Sequence, residues 1–300
     1  MSSNFQKQFL NSPPAVPRPA ENFVVGPPPV GLTHDTIGRV ERELEELDAL
    51  QQAIAAEVDY DVPPLPYELP ADFLLSVVVP VFNERDTVTQ LLGRVQALPL
   101  PLELIVVDDC STDGTRGVLS RLNSIPNVRV ILKDMNEGKG AALRTGFAEA
   151  SGDIVIVQDA DLEYDPRDIP SLLLPIIENR AEVVYGSRYL NRDLSEGSSG
   201  LHQFGNWMLT VLSNMMTGME LTDMETCYKA IRRDLLQSMT LEQNRFGFEP
   251  EITAKLAKND VRIEELPVHY AARDWDEGKK IGVKDAIATI YCIFRYSLFG

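Results

Sequence analysis

The feature that most constrains the fold of this chain is a series of short apolar segments separated by segments of helical pattern. The segments LLSVVVPVF, ELIVVDD, VRVIL, DIVIVQDAD and AEVVYGSRY are the apolar ones. The predicted helices between them are Asp86–Ala97, Thr115–Leu122, Lys139–Ala150 and Ile169–Ile177. Strands that are apolar on both faces and alternate with helices are typical of a parallel sheet with helices on both faces. The sequence therefore predicts a doubly wound α/β domain, in which ligands bind at the carboxyl ends of the strands.

The residues before this domain divide into three segments. Residues 1–32 are rich in proline and small polar residues, which predicts a disordered tail. Residues 33–58 carry apolar side chains at steps of three and four, which predicts an amphipathic helix. That helix either forms a coiled coil, giving a homo-oligomer, or packs on its own domain. Residues 59–73 predict an extended, proline-rich linker, and residues 74–300 the α/β domain.

Charge and composition exclude several classes of protein. The formal net charge is −17, from 28 basic and 45 acidic residues, which disfavours nucleic-acid binding. The three scattered cysteines predict reduced thiols in a cytoplasmic protein. No signal-peptide pattern is visible at the N-terminus. The longest apolar run, Ala286–Phe299, is too short to span a bilayer and contains Arg295.

Acidic and polar residues follow three of the predicted strands. The first strand ends in Pro80, Phe82, Asn83 and Glu84; the second in Asp108, Asp109, Ser111, Asp113 and Thr115; and the fourth in Asp159 and Asp161. Asn83 and Asp113 have a simpler alternative role, since each can cap the helix that follows it. Carboxylates at three strand ends nevertheless predict a site on one edge of the sheet.

The pair Asp159 and Asp161 predicts a divalent cation. Two hard oxygen ligands beside a parallel strand suit Mg²⁺ or Mn²⁺ and do not suit zinc. A magnesium ion held by one or two carboxylates takes its other ligands from water and substrate phosphates. The sequence therefore indicates a substrate that carries a diphosphate.

A glycine-rich segment, NEGKGAALRTGF, opens the helix predicted at Lys139 and is a candidate phosphate cradle. It does not have the spacing of a Walker A loop. No GxGxxG follows the first strand, which argues against a dinucleotide site.

Five motifs together resemble a known family. PVFNE, VVDDCSTDGT, NEGKGAAL, QDADLEYDP and GSRY, in this order over Leu74–Arg295, are similar to family 2 of the inverting glycosyltransferases. Within that family they look most like the dolichyl-phosphate mannose synthase branch. The resemblance implies a GT-A fold and a nucleotide-sugar donor that sits over a divalent metal.

The resemblance also implies roles for individual residues. Pro80, Phe82, Glu84 and Asp109 would line the nucleoside pocket. Asp159 and Asp161 would hold the donor and the metal, with Glu163 as a further metal ligand, and Lys139 would bind the donor. Glu163 stands where some relatives have glutamine. Arg188 of GSRY would bind the acceptor phosphate, and Arg273, Lys279 and Lys280 would belong to a basic loop that closes over the donor diphosphate.

Two alternatives for the acceptor predict different roles for Asp223. An ionised lipid phosphate attacks without a base, and Asp223 would then orient Arg188 or the donor sugar. Transfer to a saccharide or a small soluble acceptor would instead require Asp223 as a general base. A third alternative is a non-catalytic scaffold that only binds nucleotide sugar. The leading prediction is transfer of a hexose, mannose or glucose, to polyprenyl phosphate.

Two predicted helices are candidates for the surface that contacts such a lipid. LHQFGNWMLTVLSNMMTG, with Trp207, and the C-terminal helix Ala286–Leu298 are rich in large apolar residues. Each either packs on the sheet or lies against the bilayer interface. The second alternative predicts a peripheral membrane enzyme at the inner face of the membrane.

Overall fold

The computed structural model describes residues 60–122, 125–196, 200–273 and 283–299. The predicted tail, residues 1–32, and the predicted amphipathic helix, residues 33–58, lie outside the described residues. Lys279 and Lys280 lie outside them as well.

Nine strands lie among the described residues. They are β1 Leu75–Val81, β2 Leu102–Asp108, β3 Val128–Leu132, β4 Ile154–Val157, β5 Val183–Ser187, β6 Ser195–Glu196, β7 Lys229–Arg232, β8 Ile263–Pro267 and β9 Tyr270–Ala271. Seven of them form one sheet in the order β3-β2-β1-β4-β7-β5-β8, while β6 and β9 pair separately.

Eight α-helices connect these strands in the described part of the chain. They are α1 Val88–Gln96, α2 Thr115–Leu122, α3 Lys139–Glu149, α4 Ile169–Ile177, α5 Gly200–Thr217, α6 Arg233–Ser238, α7 Phe248–Lys258 and α8 Val283–Phe299. Short 3₁₀ turns occur at Pro166–Asp168 and Arg192–Leu194.

The predicted α/β sheet is confirmed, with one antiparallel strand in its middle. The pairs β1–β2, β1–β4, β2–β3 and β5–β8 are parallel, whereas β7 runs antiparallel to both β4 and β5. The strands β1, β2 and β4 are almost fully buried, as their continuous apolar sequences require. Because these three neighbours are parallel, their carboxyl ends lie at the same edge of the sheet.

A glycine allows α3 to pack tightly on that sheet. A Cβ atom at Gly146 would lie 2.3 Å from Cγ1 of Val78 in β1. No side chain fits there, so the helix that begins at Lys139 is fixed close to the strand ends that surround the site.

The linker packs against the domain. Residues 60–74 contain no helix or strand. Val62, Leu65 and Leu69 pack against the core, and the hydroxyl of Tyr67 donates to the carbonyl of Pro170 at 2.6 Å. Tyr60 donates to Asp165. The extended segment is therefore held on the surface of the domain.

The apolar helices α5 and α8 pack against each other. Within the described ranges, no helix combines the length and the hydropathy that crossing a bilayer requires. Both helices leave large apolar side chains exposed: Phe204, Trp207, Met208 and Met215 on α5, and Ile287, Tyr291, Phe294, Leu298 and Phe299 on α8.

Candidate active site

Tight turns follow the ends of β1, β2 and β4. Asn83, Cys110 and Leu162 all have positive φ, at 59°, 64° and 64°. Asparagine tolerates this conformation, but a leucine there is an outlier of the kind that collects at functional sites. The turn at Leu162 separates Asp161 from Glu163, and the amide of Glu163 donates to Asp161 Oδ1 at 3.2 Å.

The two strand-end residues that could also cap helices behave differently. Asp113 accepts hydrogen bonds from the amide and hydroxyl of Thr115, the first residue of α2, as the capping alternative predicts. Asn83 does not cap α1; its Oδ1 accepts from the amide of Thr112 at 2.8 Å. It therefore joins the turn after β1 to the turn after β2.

Asp109 holds the glycine-rich segment in place. Its carboxylate accepts hydrogen bonds from the amides of Glu137 at 3.0 Å and Gly138 at 2.6 Å, and from Lys133 Nζ at 2.9 Å. These two amides belong to the segment for which the sequence suggests a phosphate cradle. In this structure they bind a protein carboxylate, and Asp109 is 3% exposed.

The glycines of this segment allow close approach of another backbone. Gly138 has φ of +105°, and a Cβ on it would lie 2.5 Å from the carbonyl oxygen of Asn244. A Cβ on Gly140 would lie 2.3 Å from the carbonyl oxygen of Gln243. The start of α3 is thereby fitted against the loop that precedes α7.

Lys139 connects Asp159, the first aspartate of the segment Asp159-Ala160-Asp161, to Glu249 on α7. Its Nζ lies 2.9 Å from Asp159 Oδ1, 3.0 Å from Asp159 Oδ2 and 3.4 Å from Glu249 Oε1. Burial disfavours the ammonium, but the negative charge of Asp159, with that of Glu249, holds the pKa of Lys139 well above its ordinary value. Lys139 therefore fixes the position of Asp159 through both of its oxygens, and the contacts of Asp159 with metal and donor stay a prediction.

The second aspartate of that segment lies in a cluster of carboxylates around Arg273. A terminal nitrogen of this guanidinium lies 2.9 Å from Glu84 Oε1 and 3.1 Å from Asp161 Oδ2. Glu163 accepts from the backbone amide of Arg273 at 3.1 Å and from the hydroxyl of Tyr270 at 2.9 Å. The structure thus brings together Glu84, Asp161 and Glu163, which come from two different strand ends.

These carboxylates fit a hard divalent cation that shares its ligands with a substrate. Burial, together with the charges of Asp159 and Glu163, raises the pKa of Asp161 to about 7, which reflects an excess of negative charge. No group of three acidic, histidine or cysteine side chains converges as a complete metal site within the described ranges. Asp161 and Glu163 would therefore supply two oxygen ligands to Mg²⁺ or Mn²⁺, and substrate phosphates the rest.

The partly exposed Arg188 and the fully buried Asp223 form a pair on the other side of β7. The guanidinium donates through Nε to Asp223 Oδ2 at 2.7 Å and through a terminal nitrogen to Oδ1 at 2.8 Å. Asp223 also accepts from the amide of Arg188 at 3.1 Å and from Asn206 Nδ2 at 3.1 Å. Burial opposes ionisation, but the charge and hydrogen bonds of Arg188 lower the pKa of Asp223. The rings of Tyr189 and Tyr270 face the guanidinium at 5.6 and 5.2 Å.

Three more charged residues lie near this pair: Glu249, Glu225 and Lys229. The sequence favoured Asp223 over Glu225 for a role and gave no role to Lys229 or Glu249. Glu249 on α7 binds Lys139, while Glu225 and Lys229 lie around Asp223. Burial, followed by the charge of Glu249, raises the pKa of Glu225 to about 8. Burial also lowers the pKa of Lys229, whose Nζ donates to the carbonyls of Met224 and Thr226. In the sequence, Glu249 is one of two acids in a first helical turn, a common pattern that gives no signal of a site.

The remaining predicted residues are placed as follows. Pro80 is near the carboxyl end of β1, and Phe82 follows that strand half-buried. Their contacts with a nucleoside stay a prediction, as do the roles of Lys279 and Lys280.

Comparison with known proteins agrees with this geometry. The sequence profile described as Glycosyl transferase family 2 matches residues 76–240. The undecaprenyl-phosphate mannosyltransferase of Micrococcus luteus is 29% identical over 71% of this chain and 90% of its own length. The undecaprenyl-phosphate 4-deoxy-4-formamido-L-arabinose transferase of Pseudomonas fluorescens is 32% identical over 68% of this chain, which spans 59% of that protein's length.

A solved structure shares the fold. Glucosyl-3-phosphoglycerate synthase from Mycobacterium tuberculosis, in complex with Mn²⁺, uridine diphosphate and phosphoglyceric acid, superposes with a TM-score of 0.59 at 20% identity. The match covers 84% of this chain and 83% of the other. Because more than half of the chain matches the family profile, and the sheet carries its acidic residues at the strand ends that the motifs predict, this chain belongs to glycosyl transferase family 2 and is a glycosyltransferase of GT-A fold.

Proposed function

We propose that this enzyme transfers a hexose, mannose or glucose, from a nucleotide sugar to polyprenyl phosphate with inversion at the anomeric carbon. The observation that carries the proposal is the buried pair of Arg188 and Asp223, which holds a guanidinium ready for an anionic acceptor. Two similar proteins are named as transferases to undecaprenyl phosphate, one from Micrococcus luteus and one from Pseudomonas fluorescens.

The free donors of Arg188 suit a phosphate. A guanidinium has five N–H groups, and Asp223 takes two of them from the side chain. The other three are available for the oxygens of an acceptor phosphate, which pairs well with arginine. The two tyrosine rings restrict the guanidinium plane, so little rotamer freedom is lost when the acceptor binds.

The reaction needs no protein base when the acceptor is a phosphate monoester. Its ionised oxygen attacks the anomeric carbon, the bond from that carbon to the donor diphosphate breaks, and nucleoside diphosphate leaves. Mg²⁺ or Mn²⁺ held by Asp161 and Glu163 would neutralise charge on the departing diphosphate. Lys139 keeps Asp159 oriented, and Arg273, Lys279 and Lys280 would add positive charge near the leaving group.

The hydrogen bonds of Asp223 do not support a saccharide acceptor. A general base needs a free lone pair that reaches the acceptor hydroxyl. Asp223 is fully buried and already accepts four hydrogen bonds, three of them from Arg188. We therefore assign it the role of orienting Arg188.

We also propose that the enzyme works as a peripheral protein at the cytoplasmic face of the membrane. The rings of Trp207 and Phe204 on α5 are tilted against each other with centroids 5.8 Å apart, and each residue is 58% exposed, which suits the headgroup region of a bilayer. Asn206, next to Trp207, donates to Asp223. The exposed apolar face of α5 is therefore adjacent in sequence to a residue of the acceptor site. Oligomerisation through residues 33–58 stays a prediction.

The test is transfer of label into lipid. The purified protein is incubated with Mg²⁺ or Mn²⁺, undecaprenyl phosphate and either labelled UDP-glucose or labelled GDP-mannose, and label entering the organic phase is counted. We expect label from one donor, lost on addition of EDTA. Release of nucleoside diphosphate into water without labelled lipid would contradict the acceptor and retain the donor site.

A further inference from the structure

The guanidinium of Arg273 lies where the divalent cation is expected to bind. Its terminal nitrogens contact both oxygens of Glu84, at 2.9 and 3.2 Å, and one of them also lies 3.1 Å from Asp161. Its Nε is 3.9 Å from Glu163 Oε1. The two carboxylates that would ligate a metal, Asp161 and Glu163, therefore both face this cation.

The fit of this arginine to the site is incomplete. Its Nε is buried and has no hydrogen-bond partner. A buried donor without a partner costs free energy, so charge attraction holds the guanidinium here without a full set of hydrogen bonds. A cation of higher charge and smaller size would satisfy the same carboxylates better.

Lys139, in contrast to Arg273, has carboxylate partners on two sides of its charged group. Its Nζ contacts both oxygens of Asp159 and also Glu249. It is therefore anchored by a residue that follows β4 and by a residue of α7. Of these two cations, Arg273 is the one that contacts Asp161 and Glu163, whereas Lys139 contacts Asp159.

We propose that Arg273 is an internal competitor of the divalent cation: it occupies the metal position while the donor is absent and leaves it when a nucleotide diphosphate binds. This inference rests on the proposed function for the identity of the metal site. Two cations cannot share Asp161 at hydrogen-bond distance without strong repulsion. A diphosphate supplies anionic oxygens for both, so it removes the competition.

The consequence is thermodynamic coupling between metal and nucleotide. Metal alone must displace Arg273, whereas metal with nucleoside diphosphate gains a new partner for the released guanidinium. Coupling between two ligands is reciprocal, so each raises the affinity for the other. The enzyme would thus bind donor and metal together and bind free metal poorly.

The experiment measures Mn²⁺ binding by electron paramagnetic resonance, first without nucleotide and then with UDP or GDP. Arg273→Gln is compared with wild type and with Arg129→Gln, which removes the same charge from an exposed pair with Glu149. Without nucleotide, we expect the Kd for Mn²⁺ to fall by about tenfold or more in Arg273→Gln and to stay unchanged in Arg129→Gln. With nucleotide, we expect Arg273→Gln to bind Mn²⁺ more weakly than wild type.

Equal Mn²⁺ affinity of Arg273→Gln and Arg129→Gln without nucleotide would overturn the proposal. Should Arg273→Gln be unfolded by circular dichroism, Arg273→Lys decides: a lysine keeps the charge but loses the paired contact with Glu84. Without nucleotide, Arg273→Lys should then bind Mn²⁺ more tightly than wild type, and equal affinity of these two proteins would overturn the proposal. A wild-type protein whose Mn²⁺ affinity does not respond to either nucleotide would contradict the proposed donor site. Failure of the donor site can be told apart from failure of the Arg273 proposal, because the competition between Arg273 and Mn²⁺ is measured without nucleotide.

Discussion

Arg188 and Asp223 are joined by two parallel side-chain hydrogen bonds, of 2.7 and 2.8 Å, and by a third from the backbone of Arg188. They are 35 residues apart in the sequence, and three of the four hydrogen bonds that Asp223 accepts come from Arg188. The pair acts as one unit, in which the buried carboxylate of Asp223 sets the orientation of the partly exposed guanidinium of Arg188.

Replacing Asp223 by asparagine should weaken use of the acceptor without abolishing the reaction. We expect kcat/KM for undecaprenyl phosphate to fall by about 10- to 100-fold, mainly through KM, with the donor KM unchanged. The free energy of unfolding should fall by about 3 kcal/mol, because a buried charge loses its partner. Glu178→Gln, in an exposed pair with Arg180, is the control and should change neither quantity. A loss of several orders of magnitude in kcat would assign Asp223 as the base after all.

Replacing Asp161 by asparagine should abolish transfer while the protein stays folded. We expect turnover with Mn²⁺ to fall by at least about a thousandfold, because a ligand and its charge are lost from the metal position. The urea midpoint should not fall, since the substitution removes one charge from a group of like charges. Asp134→Asn, at an exposed position, is the matched control. Near-wild-type turnover of Asp161→Asn would remove this residue from the chemistry.

Glu225 should make the stability of the protein depend on pH. Burial and Glu249 raise its pKa in the folded state to about 8, above the ordinary 4.5. Between these values the folded state holds a proton that the unfolded state has lost, so the contribution of Glu225 to stability is lost as the pH rises. Urea unfolding at pH 5, 7 and 9 should show stability relative to Glu225→Gln declining with pH.

The control for this series is Glu220→Gln, which changes an exposed glutamate nearby in the chain. Parallel stability curves for wild type and Glu225→Gln would show that Glu225 is ionised throughout.

Gly138→Ala should destabilise the protein and displace the start of α3. The new Cβ would lie 2.5 Å from Asn244 O, and φ at this position is +105°. We expect the free energy of unfolding to fall by about 2 kcal/mol or more, with a matching loss of activity. Gly117→Ala in α2 is an informative control, because nothing lies within 4 Å of its Cβ. It should stabilise the helix by about 0.5–1 kcal/mol. Equal effects of the two substitutions in urea unfolding would contradict the close backbone contact.

Trp207→Ser should reduce binding to membranes. Removing one large apolar side chain from the bilayer interface should weaken binding to lipid vesicles by about tenfold or more. Flotation with vesicles that contain undecaprenyl phosphate measures this directly. Met135→Ser is the control, since Met135 is 64% exposed but follows β3, away from α5 and α8 in the sequence. If both variants float like wild type, α5 does not contact the membrane.

The sequence was sufficient to predict the parallel part of the sheet and the acidic strand ends. Strands such as β1 and β4 are continuous apolar runs, which are recognisable in a sequence. The carboxyl ends of parallel strands share one edge of the sheet, so the residues after them could be placed together. The antiparallel strand β7 was not predicted, because KAIR is four residues long and begins with a lysine that is buried only in the folded protein.

The partners within the site were harder to predict. The contact between Lys139 and Glu249 joins α3 to α7, and no spacing rule connects residues so far apart. Gly138 and Gly140 suggested a phosphate cradle, yet their lack of side chains is required by backbone carbonyls of another loop. Whether a glycine serves a ligand or a neighbouring chain segment depends on tertiary packing.

The position of β7 in the sheet has a consequence for the order in which the molecule assembles. The strands β1 to β4 are consecutive in the chain and adjacent in the sheet, so this half can pair as soon as residue 157 has left the ribosome. In contrast, β5 has no sheet neighbour until β7 and β8 are synthesised, because β7 separates it from β4. Long-range pairing of this kind is slow and leaves strand edges exposed. A nascent chain that ends between residues 187 and 229 therefore exposes the strand VVYGS, which is fully buried in the folded protein, without a neighbouring strand to pair with. We expect protection by chaperones to matter most at this stage.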